Sequence, residues 1–250
     1  SKAKFKLNKE IEEFVLVTKM GPGKEPLPYT QEELAYVNQY IGYGGMWSLD
    51  TNIGKERGLY EYYTPIDIVE KMVGLAYKYG YTGGPVLEPS CGIGRFLHYF
   101  SPDADVTGIE LDKVSATIAQ VNFPTFTILN KHFNLLFVDR RGNAQEPERK
   151  YKLVIGNPPY GEFTGKYVTR EKLATGATNY VEYFITRGLD LLLPGGLLIY
   201  IIPSSFLNNA MSRTKENIAE KSDLIDAYRL PVRMFEQTDI QTDIIVLKRK

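Results

Sequence analysis

The stretch with the clearest chemical character is IGNPPYG at residues 155–161, which directly follows the apolar residues Leu153 and Val154. It contains no charge, no nucleophile and no good metal ligand. It offers the amide oxygen of Asn157, an aromatic ring, and the carbonyl of Pro158, which the next proline holds in a restricted conformation. Chemistry at this turn would therefore work by hydrogen-bond acceptance and stacking. The alternative is a proline-rich turn after a core strand.

A second candidate segment is VLEPSCGIGRF at residues 86–96, which is typical of a strand, a glycine turn and a helix that begins at Arg95. Gly92 and Gly94 would let the backbone approach a ligand closely, and the helix N-terminus would offer free N–H groups. Glu110 ends the next strand, where a carboxylate can accept two hydrogen bonds from a ribose diol. A glycine turn alone is a weak signal, because generic tight turns also contain it.

The residues around this turn favour one kind of nucleoside. A dinucleotide site has a third glycine that packs the helix against the strand, and here that position is Leu97. Glu88 at the end of the strand would repel a pyrophosphate but attract a cation. S-adenosylmethionine (SAM) is a ribonucleoside that carries a sulfonium and an ammonium group, so we expect the turn to bind SAM.

The two segments together resemble a known enzyme family. EPSCGIG and GNPPY, in this order and about 70 residues apart, are similar to the SAM-binding and catalytic motifs of amino-methyltransferases, specifically the N6-adenine DNA methyltransferases. YYTPIDIVEKMV at residues 62–73 resembles the upstream SAM-binding motif of their gamma subgroup. YIGYGGMWSLD before it, and RLPVRMF and TDIIVLKRK near the end, resemble the methylase domains of large phage and mobile-element methylase–helicase proteins. The resemblance implies methyl transfer from SAM to the N6 amine of an adenine flipped out of DNA.

The resemblance also implies roles for individual catalytic residues. The side-chain oxygen of Asn157 and the carbonyl of Pro158 would accept the hydrogens of the amine, Pro159 would fix that carbonyl, and Tyr160 would stack on the base. For Phe235 two interpretations stand: an aromatic that closes over the flipped base, or an ordinary core phenylalanine.

The cofactor contacts that we expect come from the upstream motif, the glycine turn, and the ends of the second, third and fourth strands. His132 stands where the family usually has an acidic residue that receives the SAM amine, and Phe133 would stack on the SAM adenine. Thr64 would contact the methionine part of SAM and also serve as a helix N-cap. The expected cofactor-binding residues are Tyr63, Thr64, Pro65, Glu88, Pro89, Ser90, Gly92, Gly94, Glu110, Leu111, His132, Phe133 and Asn157.

The remaining sequence predicts the elements that position these residues. Strands that alternate with helices indicate a doubly wound α/β fold with a mostly parallel, Rossmann-like sheet, and the resemblance implies seven strands with the last one antiparallel. In such a sheet ligands bind at the carboxyl ends of the strands. Strands are predicted at 85–89, 105–112, 126–130, 152–156, 197–203, 223–230 and 243–249, and helices at 30–42, 67–77, 113–121 and 178–196.

The rule that ligands bind at the carboxyl ends of the strands predicts different positions for two basic segments. The loop at 139–150 precedes the fourth strand, so we expect it at the opposite edge, in solvent. The long loop at 161–179 lies on the ligand-binding edge, and we expect Lys166, Arg170 and Lys172 there to contact DNA phosphates.

Composition limits the class of protein. The chain has 250 residues with a formal net charge of zero, so only local basic patches could hold DNA. One cysteine excludes an internal disulfide, and two distant histidines argue against a metal site. No apolar run is long enough to predict a membrane helix, and we expect a cytoplasmic protein.

We expect a helical N-terminal extension at 1–60 and a catalytic domain at 61–250, without a separate target-recognition domain. Recognition of the DNA target sequence would then depend on loops, on the N-terminal 60 residues, or on a further target-recognition or helicase domain or subunit.

Three alternatives remain at this point. A protein-glutamine methyltransferase also uses Asn-Pro-Pro-Tyr on an amide, although that family usually opens its SAM turn with aspartate and three alternating glycines. An RNA adenine methyltransferase would use the same chemistry. A non-catalytic SAM- or DNA-binding module would have no need of the intact motif.

Overall fold

A computed structural model describes residues 2–42, 63–163, 168–232, 234–235 and 239–250. Seven strands form one sheet. In chain order they are β1 (Val86–Glu88), β2 (Val106–Glu110), β3 (Thr127–Asn130), β4 (Tyr151–Gly156), β5 (Leu192–Pro203), β6 (Ser222–Arg229) and β7 (Thr242–Arg249).

The strand order across the sheet is β3-β2-β1-β4-β5-β7-β6. Strand β7 is antiparallel to both of its neighbours, while the pairs from β3 to β5 are parallel. The predicted doubly wound, mostly parallel sheet of seven strands with an antiparallel last strand is confirmed. Its carboxyl edge brings together the ends of β1, β2 and β4.

Helices occupy both faces of the sheet and the N-terminal segment. They are α1 (Lys2–Glu13), a π-helix (Phe14–Thr18), α2 (Gln31–Val37), α3 (Ile66–Lys78), α4 (Lys113–Asn122), α5 (Val168–Thr175), α6 (Tyr180–Leu191), α7 (Ser205–Asn208) and α8 (Arg213–Lys221).

Alternating residues of the central strands build two cores. Leu153 and Ile155 of β4 point to one face, where they pack with the apolar side of α3. Val154 points to the other face and packs with α6. Because both faces are covered by helices, the central strands are continuously apolar, as the sequence of β5 predicted.

Several predicted boundaries needed correction. The capping box at Thr30 and Glu33 forms as predicted, but α2 ends at Val37 and not at Gly42. Helix α6 ends at Leu191, because Leu192 already pairs with Tyr151 of β4, so the Pro-Gly-Gly segment lies within β5. The loop predicted at 161–179 contains α5.

Helix α5 is attached to α6 by a buried ion pair. Both carboxylate oxygens of Glu171 accept hydrogen bonds from the Arg187 guanidinium at 2.7 Å, and one also accepts from the Tyr183 hydroxyl at 2.8 Å. The Glu171 side chain is 2% exposed. Arg187 also donates to Asp190, whose carbonyl accepts from Lys150 just before β4, so this pair holds α5 against the C-terminal part of α6.

We predict that Glu171→Ala lowers the free energy of unfolding by about 3 kcal/mol, because it leaves the Tyr183 hydroxyl without its acceptor and the Arg187 guanidinium with Asp190 as its remaining ion-pair partner. Urea denaturation measures the change. The control is Glu220→Ala, which removes an exposed glutamate of α8 and should change stability by less than about 0.5 kcal/mol. Equal stability of the two variants would contradict this role.

Candidate active site

A cleft of about 510 Å³, partly open to solvent, lies at the carboxyl edge of the sheet. Three strand ends and the segment before α3 contribute to it. The residues that line it are Tyr63, Thr64, Glu88, Ser90, Cys91, Gly92, Arg95, Phe96, Glu110, Asn157 and Pro159. The structure therefore brings most of the predicted cofactor residues together with the predicted catalytic asparagine.

The glycine turn adopts the left-handed backbone that its composition predicted, with φ of 54° at Gly92 and 93° at Gly94. A Cβ at Gly92 would stand 3.3 Å from the Tyr63 ring, and one at Gly94 would collide with Phe123. These two positions therefore require glycine both for conformation and for space.

The α-helix predicted from Arg95 is wrong. The backbone from Cys91 to Phe100 makes successive three-residue turns, ending in a 3₁₀-helix at Leu97–Tyr99. Gly94 has the left-handed conformation, which an α-helix cannot include, and Pro102 disfavours the α conformation at the residue before it. The helix N-terminus that we expected to offer N–H groups is therefore not formed.

Glu110 holds the glycine turn to the end of β2. One carboxylate oxygen accepts from the Gly92 N–H at 2.8 Å and the other from the Asp112 N–H at 2.7 Å. Burial raises the pKa of Glu110 to about 7, against the opposing effect of these N–H groups. Asn130, which the sequence did not single out, donates to the carbonyls of Glu110 and Leu111, both at 2.9 Å.

Glu88 is the second buried carboxyl group of the cleft. It is 2% exposed, and among the described residues its Oε2 atom has no hydrogen-bond partner. Burial raises the pKa of Glu88 well above its usual value, and the nearby Glu110 raises it further. A cationic ligand beside Glu88 would favour its ionised form and would supply the missing partner of Oε2.

The segment before α3 forms the opposite wall. Arg95 donates to the Thr64 carbonyl at 2.9 Å and lies over the Tyr63 ring, 5.0 Å from its centroid. Pro65, and not Thr64, is the N-cap residue of α3, so the N-cap role predicted for Thr64 is wrong. Arg95 was missed as a site residue because only its contacts reveal it.

Asn157 is held at the end of β4 by both ends of its amide. Its Nδ2 donates to the Thr64 hydroxyl at 3.3 Å, and its Oδ1 accepts from the Tyr160 hydroxyl at 3.0 Å. Ser90 donates to the Asn157 backbone carbonyl at 3.1 Å. The catalytic turn and the cofactor turn are thus directly hydrogen-bonded to each other.

The aromatic residues predicted around the ligands are buried. Tyr160 and Phe133 lie in the core on the α6 face, and Phe133 packs 4.7 Å from the Phe184 ring. Phe235 belongs to the core on the α3 face. The Phe235 side chain thus lies in a core position, and the stacking roles of Phe235, Tyr160 and Phe133 stay predictions.

The other predicted contacts lie outside this cleft. His132 is half-buried before a 3₁₀-helix, and Leu111 is on the surface. Arg170 and Lys172 are exposed on α5, where Arg170 lines a separate surface concavity with Gly142 of the 139–150 loop. The two basic segments therefore lie next to each other, and the prediction that they are at opposite edges of the sheet is wrong. Lys166 lies outside the described residues. Within the described ranges there is no cluster of potential metal ligands. Nor does any helix among them have the length and apolar character needed to cross a bilayer.

Comparison with known proteins shows which family this chain resembles. The profile of the family described as Eco57I restriction-modification methylase matches residues 98–235. The chain is 30% identical to Defense against restriction protein B of Escherichia phage P1, over 88% of this chain and 9% of that protein. It is 28% identical to Modification methylase CviBIII of Paramecium bursaria Chlorella virus NC1A, over 75% of this chain and 49% of the relative.

A solved structure from Listeria monocytogenes, assigned to the class I SAM-dependent methyltransferases, superposes with a TM-score of 0.57 at 18% identity. The match covers 74% of this chain and 60% of the other. The chain thus spans less than two thirds of each of these proteins. The comparisons confirm the predicted family resemblance and SAM as the cofactor of this fold. The cleft fits SAM, since Glu110 can accept from a ribose diol and the unpartnered carboxyl oxygen of Glu88 suits a cation.

We predict that SAM affinity rises as the pH rises through about 7. A protonated Glu110 loses acceptor capacity, and since cofactor binding favours the carboxylate, each pH unit below 7 should weaken binding by up to about tenfold. Calorimetry between pH 6 and 8.5 measures the midpoint.

The matched control for this titration is Glu110→Gln. It should bind SAM about 10-fold more weakly at pH 8 and lose the transition near pH 7. A midpoint that stays near pH 7 in this variant would assign the titration to another group.

Proposed function

Since this chain belongs to the Eco57I restriction-modification methylase family, we propose that it transfers a methyl group from SAM to the N6 amine of an adenine in DNA. The observation that carries the proposal is the oriented amide of Asn157 on the wall of the cofactor cleft. The adenine would be flipped out of the duplex, because base stacking otherwise hides the amine.

Thr64 and Tyr160 hold the two ends of the Asn157 amide. Both partners are hydroxyls, which can donate or accept, so they fix the plane of the amide, and in the arrangement present Oδ1 accepts from Tyr160 while Nδ2 donates to Thr64. The bond from Tyr160 orients the oxygen without exhausting it, because a carbonyl oxygen can accept two hydrogen bonds. Tyr160 thus gains a positioning role through its hydroxyl, in addition to the stacking role that the resemblance implies.

The reaction needs acceptors more than it needs a base. The lone pair of the adenine amine is delocalised into the ring, and two acceptors for its hydrogens would localise the pair on nitrogen. Asn157 and the Pro158 carbonyl would be those acceptors, and Pro159 restricts the carbonyl. When bound, SAM supplies an electrophilic methyl group. The methylated amine then loses its surplus proton to water.

The partners that we propose are DNA and a further domain or subunit that recognises the DNA target sequence. The relatives named above are all longer than the matched segment, and two of them are a modification methylase and a defence-against-restriction protein by name. We infer that target recognition comes from a further domain or subunit.

Asn157→Ala should abolish methyl transfer, a loss of at least about 100-fold, and leave SAM affinity within a few-fold, because it removes an amine acceptor. The measurement is transfer of radiolabelled methyl to duplex DNA. The companion variant is Tyr160→Phe, which keeps the ring and frees the amide to rotate, and it should slow transfer by a smaller factor. Unchanged turnover in Asn157→Ala would refute the assigned mechanism.

The identity of the methyl acceptor is tested by offering duplex DNA, single-stranded DNA, RNA and protein in parallel. We expect label in DNA, recovered as N6-methyladenosine after digestion to nucleosides. Label in RNA or in protein glutamine would instead support one of the alternatives, and SAM binding without transfer would support a non-catalytic module.

We also propose that the exposed cations of α5 contact DNA phosphates. The double variant Arg170→Ala/Lys172→Ala should weaken duplex binding and reduce the slope of log affinity against log salt by about two. Titration of labelled duplex at several salt concentrations measures this slope. An unchanged slope would place DNA on another surface.

A further inference from the structure

The N-terminal segment of residues 2–42 lies outside the region that the family profile matches, which begins at residue 98. It nevertheless packs on the cofactor site. Ile11, Val15 and Val37 form one buried cluster with Ile93 of the glycine turn and with the apolar side of α4, which Val114 and Ile118 provide. The segment therefore packs against Ile93, the residue between the two glycines of the turn, which does not itself line the cleft.

The glycine turn that this segment contacts lacks the helix that was expected after it. In a doubly wound sheet the helix after the first strand supports the glycine turn, and here that helix is replaced by short turns and a 3₁₀-helix at Leu97–Tyr99. A chain of short turns has few repeating hydrogen bonds, so the turn depends on what packs against it. Ile93, at the centre of the turn, is 6% exposed because the N-terminal segment covers it.

Polar contacts connect the segment to Glu110. The Tyr40 hydroxyl, in a fully buried side chain, donates to Asp112 Oδ2 at 3.3 Å. The same oxygen caps α4 by accepting from the Ser115 N–H at 2.8 Å. The backbone N–H of Asp112 donates to Glu110. Tyr40 thus acts on the residue that positions one of the two carboxylate oxygens of Glu110.

A second contact fixes the same interface. The side chains of Asn38 and Asn122 exchange two hydrogen bonds, at 3.2 and 2.7 Å, between the end of α2 and the end of α4. The N-terminal segment is therefore attached to both ends of α4, whose first residue follows Asp112.

We propose that the N-terminal segment is a working part of the cofactor site and that Tyr40 is a positioning residue for SAM, acting through Asp112 on Glu110. The proposal rests on SAM binding alone, so it stands whether or not adenine is the methyl acceptor.

The charged and titratable groups around Glu110 give the test a distinctive readout. Asp112 faces it from the start of α4, Glu88 from β1 and Cys91 from the glycine turn, while Arg95 lines the same cleft. The charge of Asp112 raises the pKa of Glu110. Removing the Tyr40 hydroxyl leaves that charge less compensated, and removing the charge itself has the opposite effect.

The experiment measures SAM affinity by calorimetry from pH 6 to 8.5 with the full 250-residue chain, without DNA. Tyr40→Phe should weaken SAM binding about 3- to 10-fold at pH 8 and move the midpoint of the pH dependence upward. Asp112→Asn keeps an N-cap residue and should move the midpoint downward. The matched control is Tyr36→Phe, on α2 of the same segment, which should change neither quantity.

Opposite shifts of the midpoint in Tyr40→Phe and Asp112→Asn, with none in Tyr36→Phe, would support the proposal. Thermal unfolding of each variant identifies general loosening. Unchanged affinity and midpoint in Tyr40→Phe would overturn the proposal, and so would an equal loss of affinity in Tyr36→Phe.

Discussion

The site depends on one buried carboxylate that joins two loops. Glu110 accepts one hydrogen bond from the glycine turn after β1 and another from the loop before α4. The Cys91 N–H also donates to the Ile109 carbonyl of β2 at 3.0 Å, so Glu110 adds a second link between the glycine turn and β2 and extends it to the start of α4. The cost is a carboxylate out of contact with water, which its raised pKa reflects. A ligand that supplies hydrogen-bond donors would stabilise the carboxylate of Glu110 and so offset the cost of its burial.

The same constraint explains why the two halves of the cleft differ in charge. The cofactor side contains two carboxyl groups, Glu88 and Glu110, whereas the catalytic turn offers only neutral acceptors at Asn157 and Pro158. A carboxylate at position 157 would add a third negative charge to a poorly solvated region and raise the pKa values further. An amide supplies the acceptor without this repulsion. The amide donates to the Thr64 hydroxyl and accepts from the Tyr160 hydroxyl, and these two bonds hold its plane.

Much of the fold and of the candidate site could be predicted from the sequence, because strong local sequence patterns indicate them. The apolar runs of β4 and β5 and the periodicity of α3 gave their positions within a few residues. The glycine turn and Asn157 were identified by composition and order. The helix after β1 was mispredicted, because the pattern after Arg95 is too short to show that Gly94 and Pro102 interrupt it. The Tyr40–Asp112 contact joins residues 72 positions apart and leaves no local signal. The burial of Phe133 and Phe235 is likewise a matter of tertiary packing.

The exposed basic residues proposed to contact DNA lie outside the cleft in which the chemistry is proposed. The cleft itself contains one cation, Arg95, and it is engaged with Tyr63 and the Thr64 carbonyl. Arg170 and Lys172 lie on α5, which the Glu171–Arg187 pair anchors to the domain rather than leaving it as a loop. A rigid helix offers phosphates a fixed spacing of charges, but two side chains on a chain of zero net charge give little attraction at physiological salt. Under the proposed function, the catalytic and cofactor groups could be complete while DNA affinity remains low. Target selectivity would then depend on the domain or subunit that brings DNA to the cleft, and the proposed chemistry of Asn157 would need no sequence preference of its own.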